Sequence, residues 1–475
     1  MSATVGVRPS TTAAGNSGQV GGGGGERPGR AQSRSTPLRL TLWAAVVSTA
    51  VAALLGVTVG AFTAASDGTS SVAQHAAVAS DSADLYFSLS DLDAESARLV
   101  LLGNGANPAT GALDLAGDQI ATLAAYNERT TQVDTDLRRL AASGGSADES
   151  AISTLTSAVT VYHQIADAAI SLDQTAPSAI PDTMGSSAGQ PAAAAIGYYA
   201  RATTLMQSQL LPEAKALRDD KARQLSDAAS SAHLAGIIGA VAAGLVGLLA
   251  LGLAFRMHRQ LRLWFRRATN VGVLVTALIS LTLALGSVVA LAATASDASN
   301  AGARFADYLA VTRTRAASYD VDGAVTRYLL MPDTTQAPIQ GAQKSAANEL
   351  HNLSQSGATA NKRWDSIVGS NGDIAKITGQ ITTNPVDGSY FNSVSDIATA
   401  LIKDTGTARG DEAFDFYYYD SALMTLSNDR LAAFDDSMSS AHSDLAGWSW
   451  LPWALAVGAL TGLGLGVRPR LAEYR

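Results

Sequence analysis

The side chains best able to do chemistry are few and scattered. Six histidines occur, His75, His163, His233, His258, His351 and His442, and none has another His at metal-ligand spacing. His163 follows Tyr162 inside a helical pattern and reads as a boundary residue. The chain has no Cys, which removes disulfides, thiolate metal sites and thiol nucleophiles together. The glycine run Gly21–Gly25 lacks the G-K-[ST] ending of a phosphate loop. The Gly462–Gly466 run (GLGLG) has dinucleotide-motif letters but lies in an apolar stretch, where small residues permit close helix packing. No kinase or Walker signature occurs, and no nucleophile elbow is read. The expectation is a protein that is not an enzyme and holds no cofactor and no metal.

Two clusters are better suited to contact than to catalysis. The first is the basic run Arg256–Arg267 (RMHRQLRLWFRR), with Arg256, Arg259, Arg262, Arg266 and Arg267 beside Trp264 and Phe265. It reads either as a lipid-facing topology anchor, at roughly 1 kcal/mol per Arg near anionic headgroups, or as a docking surface for a cytoplasmic protein. The second is Phe416–Tyr419 (FYYY). Helical geometry sends Phe416 and Tyr419 to one face, so Tyr417 and Tyr418 are the candidates for an extracytoplasmic ligand or partner. Core packing is the plainer reading of such aromatics, and Tyr198–Tyr199 pose the same choice.

The elements that must position these residues are set by hydropathy. Leu40–Ser66, Leu234–Phe255, Ala268–Ser296 and Leu445–Val467 contain no Asp, Glu, Lys or Arg, and each reaches the roughly 20 residues a spanning helix needs. The predicted order is a disordered cytoplasmic tail (1–37), a first span (38–66), a polar helical segment (67–233) and a second span (234–255). A basic loop (256–267), a third span (268–296), a second polar segment (297–444), a fourth span (445–467) and a short tail (468–475) complete it. The first span also ends in a small-residue stretch, Ala61–Ser66, that resembles a signal cleavage site, but its apolar run exceeds the ~7–15 residues of a signal core. The apolar stretches from Leu40, Leu234, Ala268 and Leu445 carry no intramembrane acid or base, which argues against an ion path.

Charge fixes the expected orientation. The two tails and the loop hold 13 of the 33 basic residues and 2 of the 41 acidic ones, so the two polar segments carry 20 basic and 39 acidic. Short Arg-rich segments stay in the cytoplasm. Both termini and the loop are therefore expected inside a bacterial plasma membrane, with membrane lipid as a partner and nucleic acid excluded. Few Lys among the basic residues, with abundant Ala and Gly, point to a GC-rich genome.

Within the first polar segment, four helices are predicted. Their apolar seams are Leu85/Leu89/Leu92/Leu99, Leu123/Tyr126/Thr130/Val133/Leu137/Leu140, Ile152/Leu155/Val159/Tyr162 and Tyr199/Met206/Leu210/Leu217. Pro212 is expected to kink the last of them. The second segment opens with Phe305, Tyr308, Thr312 and Tyr319. It closes with Phe416, Tyr419, Leu423, Leu426 and Phe434. Both segments end alike, SSAHLAG at Ser230–Gly236 and SSAHSDLAG at Ser439–Gly447, which suggests a duplication. The predicted fold class is an all-α membrane protein, with four transmembrane helices and two extracytoplasmic four-helix-bundle-like domains.

The stretches QLRLWFRRATNVG (Gln260–Gly272) and YYARATTLMQSQLLPEAKAL (Tyr198–Leu217), set in this layout, resemble the actinobacterial GlnX family. The resemblance implies a non-catalytic adaptor in amino-acid sensing. Its implied partners are an extracytoplasmic solute-binding lipoprotein (GlnH-like) and a cytoplasmic Ser/Thr kinase (PknG-like). It assigns no binding residue. The alternatives are a direct small-ligand chemosensor or a structural envelope protein, and a homodimer stays open.

Overall fold

The computed structural model describes residues 35–107, 110–145, 148–177, 184–265, 271–331, 337–353, 358–381 and 412–472. Three very long helices dominate it. α1 is Ser35–Leu102, α5 is Leu211–Phe265 and α6 is Val271–Leu330. Between them lie α2 (Ala116–Ser143), α3 (Glu149–Thr175) and α4 (Ala193–Leu205). After α6 come α7 (Ala337–Asn352), α8 (Ala358–Val368), α9 (Asp373–Ile381), α10 (Glu412–Leu445) and α11 (Leu451–Ala472). Among the described residues there is no strand, only an isolated bridge between Pro177 and Met184.

Three helical stretches are long and apolar enough to cross a membrane: Thr41–Leu102, Ala193–Gln260 and Val271–Leu330. Each runs unbroken from its apolar part into polar sequence. At 1.5 Å per residue, the 68 residues of α1 extend about 100 Å. The fourth apolar stretch behaves differently. Leu451–Gly466 is a shorter apolar helix, parted from α10 by a turn in which Gly447 takes φ +85°. Pro452 sits in the first turn of α11, where a missing N–H costs nothing. The two similar S-S-A-H segments therefore diverge, one continuing as helix and the other breaking at its glycine.

The seams read from sequence are largely the buried faces. Leu85, Leu89, Leu92, Leu155, Tyr162, Tyr199, Met206 and Leu210 are fully buried. Leu123 is not; Thr122 takes the inward position at the start of α2. Pro212 does not simply bend its helix. It follows a π turn, Met206–Leu210, in which the Leu211 N–H donates to the Met206 carbonyl. The wider turn answers two demands of a proline inside a helix, the missing N–H and the ring's clash with the preceding turn.

The two polar segments do not enclose separate cores. Next to the apolar stretches, α1, α5, α6 and α10 form one bundle. Val72, Ala76 and Ala83 of α1 pack with Leu225 and Ala229 of α5, Phe305 and Leu309 of α6, and Phe434 and Met438 of α10. Farther out, a second cluster again spans both halves, from Leu85 to Leu217 and from Val311 to Leu423. Helices that leave a common apolar bundle without a break continue as neighbours, so each half supplies part of a shared core.

Small residues bring the helices close. A Cβ on Gly247 would lie 2.3 Å from that of Ala284, and one on Gly236 would lie 2.7 Å from that of Ala295. In the GLGLG stretch the approach is of backbone on backbone. A Cβ on Gly272 would lie 2.4 Å from the Gly462 carbonyl oxygen, and Thr276 donates to the Ala459 carbonyl at 3.0 Å. Gly272→Ala must therefore push α11 from α6, a steric cost of about 1–3 kcal/mol. A lowered melting temperature in detergent micelles is the expected result, while Gly464→Ala, with open space at its Cβ, should melt like the parent.

Candidate functional site

The contact residues expected from sequence lie at opposite ends of the molecule. Arg256, Arg259 and Arg262 are exposed on the last turns of α5. Arg256 stacks its guanidinium 5.5 Å from the Trp43 ring of α1. Beneath them Met257 packs with Val47, Val273 and Leu463, so α1, α5, α6 and α11 converge here. Trp264 belongs to the final turn of α5; Arg266 and Arg267 fall outside the described residues. At the other end, Tyr417 is 70% exposed and Tyr418 45%. The Arg363 guanidinium lies 5.3 Å over the Tyr418 ring and donates to the Tyr418 carbonyl. Phe416 and Tyr419 point inward as expected, and Tyr419 shares a 2.6 Å hydrogen bond with Ser318. In the first half, Tyr198 is exposed and Tyr199 buried.

Sequence reading passes over one string. Gly185–Gly189 reads GSSAG, the letters of a nucleophile elbow. Gly185 and Gly189 take positive φ, but Ser187 is buried and its hydroxyl has no hydrogen-bond partner. Among the described residues no base hydrogen-bonds to it, so they do not build the geometry of an activated serine. His163 is half-buried as expected, and burial lowers its pKa.

The most unusual site is a buried polar layer where α1 meets α6, and the leucine seam alone does not reveal it. The sequence of α1 there is DLDAESAR, Asp91–Arg98. Its acids fall on both sides of the seam, yet Asp91 and Asp93 are almost wholly buried. Asp93 is a three-way joint. Its Oδ2 accepts from Arg327 of α6 at 2.6 Å, from Gln207 at 3.1 Å and from Thr203 at 3.2 Å. Gln207 lies in the π turn that precedes Pro212, and π turns recur at functional sites. A second joint is built on Phe87. Arg129 of α2 lies 5.2 Å from its ring and Arg315 of α6 lies 4.4 Å from it. Arg129 also pairs with Asp91. Arg315 grips Asp420 of α10 with two bonds, 2.7 and 2.9 Å. Ser90 donates to Asp320 at 2.7 Å. Arg98 reaches Glu412 at 4.0 Å.

Burial governs the electrostatics. It pushes the carboxyls of Asp91, Asp93, Glu95 and Glu412 up, against the pull of Arg129, Arg327 and Arg98. Asp91 Oδ1, Asp93 Oδ1, Glu95 Oε2 and Glu412 Oε1 are buried without a hydrogen-bond partner. Buried ion pairs of this kind often contribute no more stability than apolar residues of the same volume. The layer joins α1 to α2, α6 and α10 through discrete polar contacts. Among the described residues no cluster of His, Asp and Glu fits a metal ion.

Comparison with known families locates one half of this assembly. Residues 68–230 match the family described as an actinobacterial sensor domain. That is about a third of the 475-residue chain. It contains the polar part of α1, all of α2–α4 and the π turn, and it ends inside α5. The matched segment thus contributes Asp91, Asp93, Arg98 and Arg129 to the layer, and the rest of the chain contributes Arg315, Arg327, Glu412 and Asp420. Neither the curated proteins nor the solved structures gave a match.

Proposed function

We propose that the chain is a non-catalytic transmembrane signalling protein with four membrane spans. Its polar segments lie outside, and its termini and the Arg256–Arg267 loop lie in the cytoplasm. The observation that carries this is the continuity of α1, α5 and α6, each joining an apolar stretch to the shared outer core without a break. Displacement of α1 against α6 at the buried layer then reaches the inner end as a shift of about 1–2 Å, the scale of interface helix movements in switching proteins. The basic run is the receiving surface; the structure extends α5 through Phe265, so Arg256, Arg259 and Arg262 are exposed on the end of a helix and not on a loop. In the fullest form of the proposal, an extracytoplasmic solute-binding lipoprotein engages the outer bundle and a cytoplasmic Ser/Thr kinase reads the loop. The sensor-domain match and the resemblance to the GlnX family support that form.

The chain has no native Cys, so paired engineered cysteines report helix spacing without background. Cysteines at Ala44 of α1 and Leu253 of α5, which pack on one inner cluster, are expected to crosslink at different rates in native membranes with and without aspartate or glutamate. Affinity capture under the same conditions should recover a soluble kinase with the parent and lose it with the Arg256/Arg259/Arg262→Gln triple variant. Unchanged crosslinking, with no kinase recovered, would count against the relay.

A further inference from the structure

A groove of about 430 Å³ runs along α5 and α6 just beyond the apolar stretches, within the ~300–1,000 Å³ of small-ligand sites. Its walls are mainly apolar, among them Leu225, Ala229 and Leu234 of α5 and Ala303, Ala306 and Leu309 of α6. From Ala222 to Leu234 it follows α5 for about 18 Å at 1.5 Å per residue. One end reaches His233 and Leu234, where the charge-free stretch begins. His233 is held there by a 2.9 Å bond between Nδ1 and the Ala295 carbonyl. Arg313 closes the other end.

Arg313 is the informative residue. Arg129, Arg315 and Arg327 each meet a carboxylate. The Nε of Arg313 is buried and has no hydrogen-bond partner. Side chains of a helix lean toward its N-terminus. α6 starts at the inner end of its apolar stretch, so Arg313 leans back toward the groove. A buried guanidinium donor at the head of an apolar channel calls for an acceptor that brings a hydrocarbon chain with it.

We propose that this groove binds an anionic amphiphile, with its carboxylate or phosphate on Arg313 and its hydrocarbon chain running past Leu309 and Leu225 toward the membrane at Leu234. This rests on the reading that Leu234 and Ser299 lie at the outer membrane face. Occupancy would wedge α5 against α6, and so act on the helices that carry the proposed signal.

The test uses the full-length protein in native membranes with two photoreactive probes, a diazirine fatty acid and a diazirine phosphatidylglycerol. Peptides containing Leu225 or Ala306 should be labelled. Labelling should fall at least tenfold in Arg313→Gln and in Ala306→Trp, which fills the groove from an exposed position. The preferred probe distinguishes a free acid from a membrane lipid. Equal labelling of parent and both variants, or labelling confined to the apolar stretches, would overturn the proposal. So would a crosslinked dimer through Ser230→Cys with no lipid label, because a second copy would then fill the groove. Reaction of Ser230→Cys with a membrane-impermeant maleimide in whole cells reports the orientation separately. A failure of the topology is thereby told apart from a failure of the site.

Discussion

Arg327→Met is expected to destabilise the protein by about 3–5 kcal/mol, the usual cost of leaving one partner of a buried ion pair alone. Its partner Asp93 is fully buried and receives its shortest bond, 2.6 Å, from Arg327. Thr203 and Gln207 remain as donors, but they are neutral and lie in the same half of the chain as Asp93, so neither replaces the link to α6. The double variant Asp93→Asn/Arg327→Met removes both charges and keeps an acceptor for those two donors, so it should recover most of the loss. The measurement is denaturant or thermal unfolding in micelles. A further readout separates charge from packing. Burial raises the Asp93 pKa and Arg327 opposes it. Without Arg327 the carboxyl should protonate more readily, so the single variant should regain stability as pH falls. A loss below about 1 kcal/mol, typical of an exposed pair, would show that this contact does not join the halves.

The parent protein itself should lose stability as pH rises from about 4 to 8. Burial raises the Asp136 pKa to about 7, with further upward pushes from Asp84 and Asp81 against Ser88 and Arg139. Burial also raises Asp84 to about 6, with Asp81 adding to it and Arg315 and Arg139 opposing. Both start from an unfolded value near 3.8. The folded state therefore holds more protons than the unfolded one between these values, and stability falls with pH there. The contribution is complete below about pH 4 and is lost as pH passes the folded values of about 6 and 7. One pKa unit corresponds to about 1.4 kcal/mol, so the drop is on the order of a few kcal/mol. Asp136→Asn keeps the acceptor for Ser88, which lies 3.3 Å away, and removes the titration. Its stability should exceed the parent's at pH 8 and match it near pH 4. A parent curve that is flat over this window would sink the argument.

Periodicity and charge gaps were enough to read the helical class, the apolar stretches and most of the inward seams. Helical spacing is a local property, and a side chain three or four positions along must share a face with its neighbour. The same rule put Phe416 and Tyr419 on one face, and that face is buried; Tyr417 and Tyr418, for which core packing was the plainer reading, are exposed instead. The glycines of GLGLG were legible as packing residues because nothing else suits an apolar stretch so crowded with them. Pro212 was legible as a disturbance, but its outcome was not. Whether a proline yields a kink or a π turn depends on what neighbouring residues gain, and Gln207 gains a contact to Asp93.

Only the tertiary structure decided the rest. Asp91, Asp93 and Arg98 lie on a helix whose leucines already mark a buried face. Local pattern therefore assigns those charges to water, and two separate bundles follow. In the folded chain α6 covers that second face and brings Arg315 and Arg327 with it, more than two hundred residues away in sequence. No period within one helix encodes which helix will cover it. That follows from three long helices leaving one apolar bundle side by side, and it makes one shared core crossed by a polar layer where the sequence implied two separate ones.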